Sequence, residues 1–261
     1  MTTAWASPEK RIPGVFSRLG VPRNGTLLVH SSFKACGQEG GDPVKVLEAM
    51  LEYMAPGTIM LPTMSWRFVK SPSQIFDELE TPSNVGILTE IFRTQYADGR
   101  SIHPTHSVAA KGKNTAILLD GHHLDDTPCS ANSPFGRLVQ TDGWVVMFGI
   151  SMDCCTLIHH VEEIVAPDLY LQPAEQAEHY KCRRRNGEET LVALRRHLFL
   201  PRDYWQFQDI IAAEGKLSVS AISNTVVRAF KARDLVAATT RVLERRPDAV
   251  IARPGQRYRM M

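Results

Sequence analysis

GTLLVHSS (residues 25–32) and TIMLPT (58–63) are short apolar runs either side of DPVKVLEAMLEYM (42–54), and together they read as strand, helix, strand. Asn24-Gly25 opens the first run and Pro56-Gly57 precedes the second, so both are bounded by turn residues. Asp42 is a good N-cap and Pro43 suits the first helical position. Val44, Val46, Leu47, Met50, Leu51 and Met54 then recur close to a 3.6-residue period. A crossover helix between two buried strands implies a parallel strand pair, the unit from which α/β sheets are built.

Working outward, residues 9–19 predict a short helix ending at Gly20, and VGILTEIFRTQ (85–95) predicts another. Residues 65–83, with Pro72 and Pro82, read as a loop over a site. SVAAKG (107–112) is strand-like, and NTAILLDGHH (114–123) begins as a helix. GWVVMFGI (143–150) is the clearest buried strand of the second half, followed by the helical CTLIHHVEEIVA (155–166) with Leu157, Val161, Ile164 and Val165 on an apolar face. Asn186-Gly187 within HYKCRRRNGEETLVALRRH (179–197) is a hairpin signal. Residues 204–213, 220–230 and 232–245 are helix candidates. With no repeat and no Ser/Gly linker, residues 1–261 read as one α/β domain, a central mixed sheet flanked by helices.

A formal charge of +2 is too small to point to a nucleic-acid partner. No apolar run approaches the roughly 20 residues that span a bilayer, and MTTAWASPEKRIPG lacks a secretory layout, so the expected compartment is the cytoplasm. Five cysteines, Cys36, Cys129, Cys154, Cys155 and Cys182, have no CxxC spacing, which argues against a disulfide framework and a zinc knuckle. The sequence is compatible with an oligomer without specifying one.

Three clusters offer chemistry. In the first, a strand ends at Gly149-Ile150 and a helix then carries Thr156, His159, His160, Glu162 and Glu163, at the strand end where α/β sheets bind ligands. An imidazole three residues from a carboxylate can be held in one tautomer and act as a base. Spacing alone leaves His159/Glu162 and His160/Glu163 as equal alternatives, and a surface ion pair as a third reading. The second cluster is RSIHPTHS, with Arg100, Ser101, His103, His106 and Ser107 around Pro104; it suits a ligand or a polar loop with a structural histidine. The third is VHSSFKACGQEGG, where small hydroxyl residues after a strand let backbone approach a ligand; it matches neither a Walker motif nor GxGxxG, and a tight turn would account for it equally.

LLVHSSFKACG, APGTIMLPT, FDELETPSNVGILTEIFR, RSIHPTHSVAAKG, SPFGRL and TLIHHVEE, in that order between about residues 26 and 166, resemble the antibiotic N-acetyltransferase family that contains the aminoglycoside 3-N-acetyltransferases. The resemblance implies an α/β fold distinct from the smaller GNAT domain, acetyl-CoA as cosubstrate with no metal, and direct transfer to a small-molecule amine. A Thr-x-x-His-x-x-Glu pattern falls on Thr156, His159 and Glu162, so His159 is implied as general base and Glu162 as its orienting carboxylate, with Thr156 near the thioester. His30, Ser31, Ser32 and Phe33 are implied along the pantetheine and pyrophosphate arm of coenzyme A. Arg100, Ser101, His103 and Ser107 would line the coenzyme side or support the base.

One departure concerns the acceptor. TMSWRFVKSPSQI, between Pro62 and Phe76, is shorter and more basic than the insertion expected of 3-N-acetylating members. Arg67 and Lys70 would repel a polycation, which favours a less cationic aminoglycoside such as kasugamycin, acetylated at its 2′-amine. Asp77, Glu78 and Glu80 are carboxylates able to bind an ammonium group, or ordinary solvated charges. Rival readings are an acyl-cysteine route through Cys155, a metal-dependent hydrolase using His122, His123, Asp125 and Asp126, and a non-catalytic binding protein. Transfer to a non-antibiotic biosynthetic amine is a further alternative.

Overall fold

The computed structural model describes residues 7–70 and 73–261. Strands β1 (Thr26–Ser31) and β2 (Thr58–Pro62) pair in parallel, joined through α2 (Lys34–Gln38) and α3 (Pro43–Tyr53), as the apolar runs and intervening period require. Asp42 caps α3 as expected, its side chain accepting from Val44 N and Lys45 N. Before them lies α1 (Pro8–Arg18), and after them β3 (Ile75–Asp77), α4 (Ile87–Ile91, continuing as a π turn over Phe92–Tyr96), β4 (Gly99–Arg100) and β5 (Val108–Gly112). Next come α5 (Thr115–Leu119), α6 (Pro134–Gln140), β6 (Trp144–Phe148), α7 (Leu157–Val165) and α8 (Pro167–Tyr170). The rest comprises β7 (Glu178–Arg183), β8 (Glu189–Leu194), β9 (Pro201–Arg202), α9 (Trp205–Ala213), β10 (Ser218–Ile222), β11 (Thr225–Lys231), α10 (Ala232–Arg245) and β12 (Arg259–Met260).

A seven-stranded sheet runs in the order β10-β11-β6-β1-β2-β5-β4. Its middle, β6-β1-β2, is parallel, and the strands added on each side are antiparallel, so the sheet is mixed. Alternation along β1 sets the two layers. Leu27 and Val29 enter one core with α1 and α3, while Leu28 enters the other with α6, α7, α9 and α10. A small sheet, β3-β7-β8, carries its own apolar patch of Phe76, Ile102, Tyr180 and Val192.

Two expectations need correction. Residues 220–230 are not a helix; they lie in the hairpin β10-β11, turned at Ser223 (φ 50°). Thr225, Val227 and Ala229 are buried while Val226 is exposed, the two-residue period of a strand, and β6 supplies the ladder partner. Residues 65–83 are not wholly irregular, because Ile75–Asp77 pairs in parallel with β7. On α7, Leu157, Ile158 and Val161 are buried, but Ile164 lies 55% exposed and leaves the apolar face. No helix among the described residues is long and apolar enough to cross a membrane.

Candidate active site

Three adjacent parallel strands end together, and the candidate residues gather there. Ser32 N donates to Phe148 O (2.8 Å), locking the end of β1 to the end of β6. Gly149 makes the next step possible: its φ is 65°, and a Cβ there would sit 2.5 Å from the Ser32 carbonyl. A short 3-10 turn over Met152–Cys154 then reverses the chain into α7, with Thr156 at its N-cap. The segment His30–Phe33 is therefore held at the end of β6, from which the chain leads on to the helix bearing His159.

His159 Nδ1 lies 2.7 Å from Glu162 Oε2. Glu162 is fully buried, and Arg202 Nε donates to Oε1 (3.0 Å) and Oε2 (3.3 Å) while the Tyr204 hydroxyl donates to Oε1 (2.6 Å). Burial works to raise the Glu162 pKa, but His159, Arg202 and Tyr204 outweigh it and hold the carboxyl below its ordinary range. An ionised Glu162 fixes the proton of His159 on Nδ1 and leaves Nε2 as the basic nitrogen, which makes no hydrogen bond among the described residues. Burial lowers the His159 pKa, Glu162 opposes that shift and Arg202 adds to it, so the ring is neutral near pH 7. His197 stacks on His159, with ring centres 4.1 Å apart and planes 19° apart, and His106 meets both edge-on at 5.5 and 6.5 Å.

The neighbouring pair is engaged elsewhere. His160 Nδ1 bonds the Cys129 carbonyl (2.7 Å), and Glu163 accepts from Cys129 N (2.8 and 3.0 Å). His197 Nε2 is 2.7 Å from Glu163 Oε1 but at an angle that makes no hydrogen bond. Burial pushes the Glu163 carboxyl well up, toward its neutral form. Among the described residues two donor sets converge within 4.8 Å, His159–Glu162–His197 and Cys129–Glu163–His197, and these are the groups that could hold a cation.

Of the second cluster, Arg100 is a brace. It is 5% exposed and bonds Thr63, Ser107, Thr81 and the Glu78 carbonyl. Ser107 Oγ donates to the Thr63 carbonyl (2.8 Å). Ser101 takes the Val108 N–H and meets His122 Nδ1 at 2.9 Å, and His122 Nε2 reaches the Pro128 carbonyl (3.0 Å). His103 Nδ1 accepts from Thr105 N and His106 N, which shapes the turn that presents His106 to His159 and His197. Arg100 thus ties its own segment to the end of β2 and to the segment after β3, while His103 uses Nδ1 on its own turn, stacks on His122 at 4.3 Å and keeps a buried Nε2 with no partner among the described residues. His30 is 6% exposed, its Nε2 has no partner among the described residues, and burial lowers its pKa to about 4.

Free carboxylates for an ammonium group are fewer than the sequence suggested. Asp77 accepts from Leu79 N and Glu80 N and lies 3.5 Å from Arg183, while Glu78 is buried and paired with Arg185 at 2.7 Å. Glu80 alone of the three is exposed. Two rival routes also find no support. Cys155 is buried before α7 begins, and burial pushes its thiol up to about 12 even though the backbone N–H groups of Leu157 and Ile158 favour the thiolate, so the group is held as a thiol. His122 and His123 diverge, the first to Ser101 and Pro128, the second to Arg184.

Tyr204, Arg202 and His197 were not legible as site residues, because each arrives from beyond the helix. Arg202 and Tyr204 are 40 and 42 residues from Glu162 in sequence. The one local signal was an arginine directly after the apolar run LFLP (198–201).

A mixed sheet whose parallel strands lead to a helix-borne histidine oriented by a buried carboxylate has the form of an α/β enzyme. Residues 28–244 match the family model for aminoglycoside 3-N-acetyltransferase, so the chain belongs to that family of acyltransferases acting on amines. It is 26% identical over 253 residues to aminoglycoside N(3)-acetyltransferase III of Pseudomonas aeruginosa, covering 88% of this chain and 91% of that one. It is 29% identical to the type VIII enzyme of Streptomyces fradiae, covering 84% and 85%. Solved structures with the same fold include the apoenzyme of aminoglycoside acetyltransferase AAC(3)-IVa (TM-score 0.78, 22% identity, 97% and 95% covered). AAC-IIIb in its binary complex with CoASH is another (TM-score 0.75, 19% identity, 91% and 96%).

Proposed function

We propose that this protein transfers the acetyl group of acetyl-CoA to an amine of an aminoglycoside, with resistance as its biological role. The observation that carries the reading is the His159–Glu162 pair, held in a buried network that leaves His159 Nε2 available. An acceptor amine is mostly protonated near pH 7 and attacks only once it has lost a proton. Once the ammonium has released that proton to solvent, His159 Nε2 takes the second proton as the neutral amine nitrogen adds to the thioester carbonyl, and Glu162 stabilises the resulting imidazolium. Collapse of the tetrahedral adduct expels coenzyme A thiolate, which the imidazolium can reprotonate. Thr156, at the helix start, stands nearest the thioester in this reading, and His30, Ser31, Ser32 and Phe33 follow the coenzyme arm. The solved relative with CoASH bound supports coenzyme A as the partner class.

For the acceptor we favour an aminoglycoside of low positive charge, kasugamycin acetylated at the 2′-amine being the named candidate. Trp66 and Arg67 are exposed beyond the end of β2, with the guanidinium 5.0 Å over the indole ring, while Asp77 and Glu78 are already neutralised by arginines. A cationic lip with few free carboxylates suits an acceptor carrying its own carboxylate. Thiol release from acetyl-CoA, measured with gentamicin, kanamycin, apramycin and kasugamycin, tests both levels. Turnover with kasugamycin above the others is the expected result. Turnover confined to the polycationic drugs removes the low-charge acceptor, and failure of acetyl-CoA to bind at all removes the transferase reading.

A further inference from the structure

The support of Glu162 comes from outside the base helix, and its anchorage has a consequence for the reaction. Arg202 is the largest side chain among those fully buried, and it sits on β9. Its Nε meets Glu162, and its Nη1 donates to the Leu198 carbonyl (3.0 Å) and to the carbonyl of Met261. Strand β12 pairs antiparallel with β9, Arg259 opposite Arg202 and Met260 opposite Pro201. Leu200 N bonds Met261 O (2.9 Å) and Met261 N bonds Leu200 O (3.2 Å). Arg259 also reaches forward to Asp153 (3.2 Å) and to the Cys154 sulfur, on the turn that leads into α7. One two-residue strand thus ties together both flanks of the base helix, the turn before it and the arginine behind it.

We propose that Arg202 is a positioning residue for the acetyl transfer, and that β12 is the clamp that holds it against Glu162. The inference rests on His159 as the base. Arg202 restrains Glu162 through a short, buried, charge-assisted contact, and Glu162 restrains the Nδ1–H of His159. Without Arg202 the carboxylate loses its fixed position, and the imidazole is free to turn or change tautomer. The charged and titratable groups around His159 are Glu162 on its own helix, Arg202 and Tyr204 behind it, and His106 and His197 across it. Tyr170, whose ring lies 5.7 Å from the Arg202 guanidinium, completes the set around Glu162.

The opposite signs of two substitutions separate positioning from plain destabilisation. Glu162 raises the His159 pKa and Arg202 lowers it. Arg202→Met should therefore cut kcat by at least tenfold and move the acidic limb of the kcat/KM profile to higher pH, with the KM for acetyl-CoA little changed. Glu162→Gln should move that limb to lower pH, and Arg202→Lys should restore part of both the rate and the limb position. Removing one charge of a buried pair often costs folding stability, so a second variant keeps Arg202 and deletes residues 259–261. It should shift the limb in the Arg202→Met direction by a smaller amount. A folded Arg202→Met protein with wild-type turnover and an unmoved limb overturns the positioning role. A deletion variant with the wild-type profile overturns the clamp. If His159→Ala were itself fully active, the base assignment would fail instead, which the same assay reads separately.

Discussion

At the residue scale, the proposed function rests on where one proton sits. His159 shares its Nδ1 side with Glu162 at 2.7 Å and with the Tyr204 hydroxyl at 3.0 Å, so the unprotonated nitrogen is Nε2. His159→Ala should lower turnover by roughly 10²–10⁴, the usual range for a lost general base, with acetyl-CoA binding preserved in a direct titration. With His159 as the proposed base, activity follows the neutral ring, whose pKa burial holds below 6.5, so the wild-type acidic limb should fall below pH 6.5. Glu162→Gln deletes the charge that raises that pKa, and the limb should move further down while kcat falls less than in His159→Ala; a pH–rate series on both proteins checks the ordering. The i, i+3 spacing made this pair visible in the sequence, but spacing weighed His160 and Glu163 equally. What separates them is three-dimensional: the Cys129 backbone engages the side chains of both His160 and Glu163, and of the two carboxylates Arg202 and Tyr204 reach only Glu162.

At the element scale, the site depends on how tightly β1 and β6 close at their ends. Gly149 takes a left-handed backbone where its hydrogen faces the Ser32 carbonyl. Gly149→Ala adds the roughly 1–2 kcal/mol that a left-handed L-residue costs to a contact of 2.5 Å that only backbone movement can relieve. Gly187 in the β7-β8 turn has φ 86° but nothing within 4 Å of an added Cβ, so Gly187→Ala carries the conformational cost alone. Thermal melts should rank Gly149→Ala as the more destabilised, and because Ser32 must move, only Gly149→Ala should raise the KM for acetyl-CoA. An equal loss in both would detach the strand-end contact from coenzyme binding. Elements whose signals are local were readable, such as the capped helix Pro43–Tyr53 between two apolar strands and the helix Ala232–Arg245. Elements made by their partners were not. Ser218–Lys231 is a hairpin because β6 offers an open edge, and Ile75–Asp77 is a strand only because β7 runs beside it. Thr225–Lys231 places Val226-Val227 beside Arg228 without strict alternation, and Ile75–Asp77 is three residues long, so neither carries a period strong enough to announce such pairings.

At the scale of the whole molecule, the unusual quantity is the number of histidines folded in the neutral state. Burial holds His30 near 4 and His122 near 3, and it pushes His103, His106 and His197 well below the ordinary 6.5. Each of these rings has a folded pKa below its unfolded one, so between the two values the unfolded chain binds more protons. Their combined stabilisation is fully present above pH 6.5 and is lost as pH falls toward the folded values. Every such group contributes a slope of about 1.4 kcal/mol per pH unit within that window. Glu163 and Asp125 act in the opposite sense, because their raised pKa values cost stability as pH climbs above about 4.5 and 3.8, but they are two carboxyls against five rings. Net stability should therefore drop steeply between pH 6.5 and 5, well before ordinary carboxylates titrate. Thermal melts at pH 7.5, 6.5, 5.5 and 5.0 test this, and His122→Gln gives the control. His122 takes Ser101 on one nitrogen and the Pro128 carbonyl on the other, and the amide of glutamine can serve both without titrating. The variant should lose less stability than wild type over the same interval; a parallel fall in both would place the acid sensitivity in other groups.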